Sequence, residues 1–258
     1  VINSGGGDIA LTAKYDGSDD DHLTINARVV ASGGNGNITL NAGTDLLVND
    51  SGGDPEVSAA GAGAITANVN RDVLLNSVTT LQSDSGKITL SANDGLDNDL
   101  PANDGRVDMA DTARILSTTG MIELNAYDDI ILGGLSTGNT SATAVALTST
   151  AGGIVDGGDT YLDVEANLGR LVMDAVTGIG SGADTGTMPG TPVNAVLETK
   201  VGSLDMDNTG TTGNIDILES DDVTIVNARQ TNAANAGYIK VVTTNGSITV
   251  DNGGATGD

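Results

Sequence analysis

Gly36-Asn37-Ile38-Thr39-Leu40-Asn41-Ala42-Gly43-Thr44-Asp45-Leu46-Leu47-Val48 is the stretch whose reading decides the fold. Aliphatic and polar residues alternate from Ile38 to Ala42, the period of a strand with one buried face. A glycine opens the phrase, and nine residues later Asp45 leads a second aliphatic run. The Ile, Val and Thr content suits extended backbone, and helix periodicity is nearly absent. Glycine and Asn or Asp at the phrase ends are expected to supply the positive φ angles of the corners.

The same phrase returns along the chain. Gly7 to Ala13, Gly86 to Ala92 and Gly120 to Ala126 repeat it in full, Gly213 to Ile217 and Gly246 to Val250 in shorter form. Looser copies open at Gly63, Gly169, Gly202 and Gly237. The Asp-led run keeps its nine-residue offset at Asp72 after Gly63, at Asp129 after Gly120 and at Asp222 after Gly213. A strand, a corner and a second strand are thus repeated in register. The glycines at 7, 36, 63 and 86 lie 29, 27 and 23 residues apart. That is the length of a β-solenoid coil with about three short strands and their loops.

The predicted fold class is therefore all-β: a right-handed parallel β-helix of about ten coils, residues 1–258 forming one continuous segment. A string of β-sandwich domains is the competing solution. Sandwiches usually carry a buried aromatic, and this chain has no Phe or Trp and only 4 Tyr. The repeat implies a narrow interior of Ile, Leu, Val and Ala, in which each coil depends on its neighbours. Val1-Ile2-Asn3 begins mid-pattern and Gly246 to Asp258 stops just after a phrase. The chain reads as a segment of a longer repeat protein, or as a unit that stacks on its own kind.

Composition removes several function classes. Of 258 residues, 35 are Asp or Glu and 10 are Lys or Arg, a formal net charge of −25. Such a charge repels phosphate backbones, and no basic or aromatic platform exists, so no nucleic-acid partner is expected. With no Cys and a single histidine, His22, there is no disulfide framework, thiolate zinc site or Cys nucleophile. No apolar run approaches the roughly 20 residues of a transmembrane helix. High charge with few aromatics is also a signature of disorder. The 38% apolar content and its ordered placement argue against that here.

Two spacers, Asp94 to Asp111 and Gly178 to Pro192, read as loops bulging from a coil. Acidic clusters raise the question of a metal. Asp16, Asp19, Asp20 and Asp21 share one stretch, and Asp97, Asp99, Asp104 and Asp108 another. Carboxylates crowded on glycine-rich loops are candidate calcium (Ca2+) ligands, the hard oxygens that this ion takes at six to eight positions. The plainer alternative is a solvated acidic face that keeps the rod soluble. Two known calcium motifs fail: Leu100 and Ala102 stand at the first ligand positions of a dockerin-like loop, and Ile38 stands where a nonapeptide repeat needs Asp.

Catalysis is not expected. Asp128-Asp129 and Asp221-Asp222 could suggest a carboxylate pair of the glycosidase kind. In both, however, the second Asp holds the recurrent corner position, which marks it as structural. His22, flanked by Asp20 and Asp21, is a loop residue rather than part of a triad. Gly152-Gly153 and Gly157-Gly158 have no following Lys or helix signal, so they form no phosphate loop.

The stretches Gly36 to Val48, Val107 to Asp111, Gly120 to Gly134, Gly152 to Gly158, Gly169 to Gly180 and Gly202 to Ile225 resemble the strand repeats of filamentous-haemagglutinin-like adhesins and related giant bacterial surface proteins. The resemblance spans most of the chain. It implies an extracellular, cell-surface stalk, fibre or filament and no active site. The partners it implies are neighbouring repeats, copies of itself stacked end to end, and host or matrix glycans. A carbohydrate- or receptor-binding surface on the rod is the alternative, and a polysaccharide lyase or hydrolase a more distant one.

Overall fold

The computed structural model describes residues 1–14, 21–52, 55–92, 105–158, 161–180 and 196–251. These residues form an all-β parallel solenoid without a helix, each strand pairing with its equivalent one coil away. Ladder hydrogen bonds therefore run along the rod axis, and side chains of successive coils stack over one another.

Three faces build the coil. The first holds the five-residue phrase strands Ile9–Ala13, Ile38–Ala42, Ile65–Val69, Ile88–Ala92, Ile122–Ala126 and Val145–Ser149. The second holds the Asp-led runs, from Leu23–Ile25, Leu46–Val48 and Val73–Leu75 to Ile154–Asp156. The third runs from Ile2–Asn3, Val29–Ala31 and Val57–Ala59 to Gly134–Thr137. Counting on through 171–175, 203–208, Val223–Gln230 and Ile248–Val250, the first face has ten rungs, the number of coils the repeat predicts.

Register explains the core. Ile9, Ile38, Ile65, Ile88 and Ile122 are direct partners on successive rungs, followed by Val145, Leu171 and Leu204. Two residues along, Leu40, Ala67, Leu90, Leu124, Leu147 and Met173 make a second column. Both columns are buried throughout. Each large aliphatic taken out of water is worth about 1.5–3 kcal/mol. Outward positions carry polar ladders instead. Asn41 donates to Thr12 Oγ1 at 3.2 Å and Asn68 donates to Asn41 Oδ1 at 3.1 Å.

Of the opening glycines, Gly213 and Gly246 take the positive φ expected, at 91° and 157°, while four others are glycine for a different reason. Gly36, Gly63, Gly86 and Gly120 do not adopt positive φ, and no described Asn or Asp does. A Cβ on any of the four would instead collide with the carbonyl of the equivalent glycine one coil earlier. They stack backbone on backbone, and close approach excludes a side chain. Val78, at φ 64°, is the sole described non-glycine in the left-handed region.

The coil changes shape along the rod. Up to residue 156 it has three short strands; beyond that they fuse. Val164–Ala175 and Leu197–Asn208, twelve residues each, run from the third face into the first. Ile215–Glu219 and Ile239–Thr243 span the second and third. The phrase at Gly213 is consequently read one face later than its copies. Ile215 pairs with Ile179 on the second face, and Val223 begins a first-face rung. The spacer boundaries also need correction. Val107–Met109, within the first predicted loop, is a second-face rung, as is Ile179–Gly180 at the edge of the second.

Candidate functional site

The recurrent Asp residues are used by the backbone of the next coil. Asp45 accepts the N–H of Asp72, Asp72 those of Gly105 and Arg106, Asp129 that of Gly153 and Asp222 that of Ser247, at 2.7–3.2 Å. A short acceptor at the end of a strand satisfies amides that the corner takes out of the ladder. The structural assignment of Asp129 and Asp222 from sequence follows this geometry. Asp222 serves a different corner, because the phrase has slipped by one face.

Asp45 also gathers charge. Arg71 Nε donates to its Oδ1 at 2.6 Å, and His22 Nδ1 lies 3.1 Å from Oδ2. Burial pushes this carboxyl up, but hydrogen bonds from Arg71 and the Asp72 amide, with the charges of Arg71 and His22, more than offset that. Its pKa lies below the ordinary value. Thr44 Oγ1 approaches the same His22 Nδ1, at 2.9 Å. A proton relay from hydroxyl to carboxylate would use opposite ring nitrogens, so the three residues form no triad.

Of the candidate calcium ligands, Asp16, Asp19, Asp20, Asp97, Asp99 and Asp104 lie outside the described residues. Asp21 sits beside His22 and its carbonyl accepts the Thr44 N–H at 3.2 Å. Asp108 is on the outward side of Val107–Met109, half-buried, with its carboxylate 3.5 Å from Arg106 Nε. Asp21 and Asp108 belong to different predicted clusters.

A different set of acids converges where the coil changes shape. Asp156 ends a second-face strand, Asp163 immediately precedes Val164–Ala175, and Glu198 is the second residue of Leu197–Asn208. One carboxylate oxygen from each lies within 4.8 Å of the others. Asp163 is fully buried and Glu198 is 7% exposed. Parallel pairing couples them: the Asp163 N–H donates to the Glu198 carbonyl at 2.9 Å, and the Glu198 N–H donates to Asp163 Oδ2 at 2.8 Å. Asp156 Oδ1 is held by the Gly158 N–H at 2.8 Å. Asp163 Oδ1 is buried with no hydrogen-bond partner. Burial, and then the neighbouring charges of Asp156 and Glu198, push the Asp163 pKa to about 9 against the pull of the Glu198 amide.

Nothing in the local sequence announces this cluster. In Asp163-Val164-Glu165-Ala166 and Leu197-Glu198-Thr199-Lys200-Val201 the acids hold alternate polar positions, the pattern of a solvated face. Asp163 and Glu198 meet because two coils of unequal length bring residues 35 apart onto adjoining rungs.

Glu219 is the contrasting buried acid. It accepts the Thr199 hydroxyl at 2.8 Å, the Val201 N–H at 3.2 Å and the Ser220 N–H at 2.9 Å. Burial raises its pKa to about 7 despite these donors. No described helix is long and apolar enough to cross a membrane.

The architecture places the chain in the class of parallel β-solenoids. Comparison with protein-family models, curated proteins and solved structures returns no match.

Proposed function

We propose that the chain is a structural module: one stretch of an extracellular bacterial stalk, fibre or filament, with no catalytic role. The observation that carries this reading is the unbroken run of ten parallel rungs on the first face. At about 4.8 Å per rung it amounts to a rod roughly 45 Å long. The recurrent use of corner acids fits the same purpose, since each ties one coil to the next. Copies stack end to end in this reading. Ile239, Val242, Ile248 and Val250 on the last two described strands are 41–79% exposed among the described residues, and a following coil, of the same chain or of a copy, would cover them.

Electron microscopy of the purified chain, with light scattering over a range of concentrations, tests the proposal. Rods whose lengths fall at multiples of roughly 45 Å are expected. Particles of a single length at every concentration would refute end-to-end stacking, and globular particles the rod itself.

A second reading, a glycan-binding surface on the rod, draws on one groove. Ser91, Asn125, Thr148 and Thr150 line it beside Tyr127, a 42% exposed aromatic among hydroxyl and amide groups. Binding on a glycan array that Tyr127→Ala abolishes would favour it over a purely structural role.

A further inference from the structure

We propose that Asp156, Asp163 and Glu198 form a calcium site that fastens the three-stranded part of the rod to the part with fused strands. The acids come from three separate segments, and their carboxylate oxygens are mutually within 4.8 Å. Calcium holds oxygens at 2.3–2.6 Å, so two ligands on opposite sides of one ion are separated by about 4.8 Å. The spacing therefore suits three ligands of one ion.

Crowded acids alone would not establish a site. The second observation is the Asp163 carboxylate itself. Its residue is fully buried, Oδ2 is used by the Glu198 amide, and Oδ1 has no protein partner. Among the described residues no Lys, Arg or His forms an ion pair with Asp163. Glu219 shows how this fold treats a buried acid that needs no ion: a hydroxyl and backbone amides surround it. Asp163 lacks that donor set and faces two more carboxylates instead. A buried group in this position is stabilised by a proton or by a cation. Three converging acids supply more negative charge than one proton offsets, and a hard divalent ion matches both the charge and the oxygen-only donors.

The site differs from the acidic stretches singled out by sequence, and the two can be separated. The full chain is stripped with EDTA, dialysed and titrated with CaCl2 by calorimetry. One saturable site is expected in the parent chain and in Asp104→Asn, with at least a tenfold loss of affinity in Asp163→Asn. Unchanged affinity in Asp163→Asn overturns the proposal. So does the absence of saturable binding up to on the order of 10 mM, above the range of extracellular calcium modules.

Melting curves give an independent readout. Saturating calcium should raise the parent midpoint by about 5 °C. Asp163→Asn keeps an acceptor for the Glu198 amide and removes only the oxygen offered to the ion, so it should melt no lower than the parent in EDTA and gain nothing from calcium. Glu198→Gln should show the same pattern. A variant pair that melts below the parent in both buffers, or that keeps the calcium increment, overturns the assignment. Magnesium at the same concentration should give less than half the increment, and an equal response would overturn the choice of ion.

Discussion

The rod up to residue 156 and the rod from 164 onward are made of the same phrases, yet they handle acids differently. In the first part, corners are regular and each corner Asp faces an amide or an Arg of the next coil, as Asp45 does with Asp72 and Arg71. In the second, strands fuse and a corner is lost, and acids that would have lined it are enclosed. Both parts bury acids, but Asp45 and Glu56 in the first are met by an arginine, a hydroxyl or backbone amides, as Glu219 is in the second. Asp163 and Glu198 are instead buried facing each other and Asp156. A repeat fixes the environment of a side chain only while coil length and face assignment stay constant. Once they change, the same residue type meets a different dielectric and different neighbours.

The largest expected effect probes what the two parts share. Leu124→Ala empties a fully buried position in the aliphatic column and should cost about 2–5 kcal/mol in chemical denaturation. Leu168→Ala, 76% exposed, should change stability by less than about 0.5 kcal/mol. Equal effects would mean that the columns do not hold the rod together.

Next in size is the corner ion pair. Asp45→Ala leaves Arg71 without its carboxylate and removes the acceptor of the Asp72 amide, a loss of about 2–3 kcal/mol. The surface pair of Asp207 with Arg229, at 2.7 Å, has comparable geometry but an exposed guanidinium. Asp207→Ala should leave the midpoint nearly where it was.

Acidity should move the two parts in opposite directions. Glu219 has a folded pKa near 7, above its ordinary 4.5, so the folded state holds the extra proton in between. Its contribution is full below pH 4.5 and lost as pH rises through 7. Asp45 is depressed below 3.8, so its contribution is present above that value and lost as pH falls through the folded pKa. Melting followed from pH 8 to pH 3 should therefore rise towards pH 5 and fall below pH 4. Asp163, pushed to about 9, adds to the same upper limb, so Glu219→Gln should reduce its slope between pH 5 and 7 without abolishing it, and leave the lower limb. An unchanged upper limb would assign it to another group.

The smallest effect concerns backbone strain. Val78 holds φ at 64°, a region that costs a β-branched residue about 1–2 kcal/mol. Asn tolerates it better. Val78→Asn, on a 51% exposed side chain, should gain about 0.5–1 kcal/mol, read as a small rise in the denaturation midpoint.

Much of the fold is legible in the sequence because its determinants are adjacent residues. Alternation in Ile38 to Ala42 states which side chains face inward, and the recurring phrase states that Ile stacks on Ile. The role of the glycines was only half legible. Positive φ holds as expected at Gly213 and Gly246, but at Gly36, Gly63, Gly86 and Gly120 the reason is contact with another coil. The acidic triad was not legible, since Asp163 and Glu198 obey the outward pattern and only the enclosing structure buries them.

By itself, then, the sequence determined an all-β parallel solenoid of about ten coils, the aliphatic columns of its regular part and the recurrent corner position of its acids. These follow from spacing within a single phrase. The tertiary structure alone decided where strands fuse, that the phrase at Gly213 slips by one face, and which three acids share a buried corner. Those outcomes depend on the summed length of whole coils. A difference of a few residues in one loop resets which side chains lie rung over rung, and no local pattern records that sum.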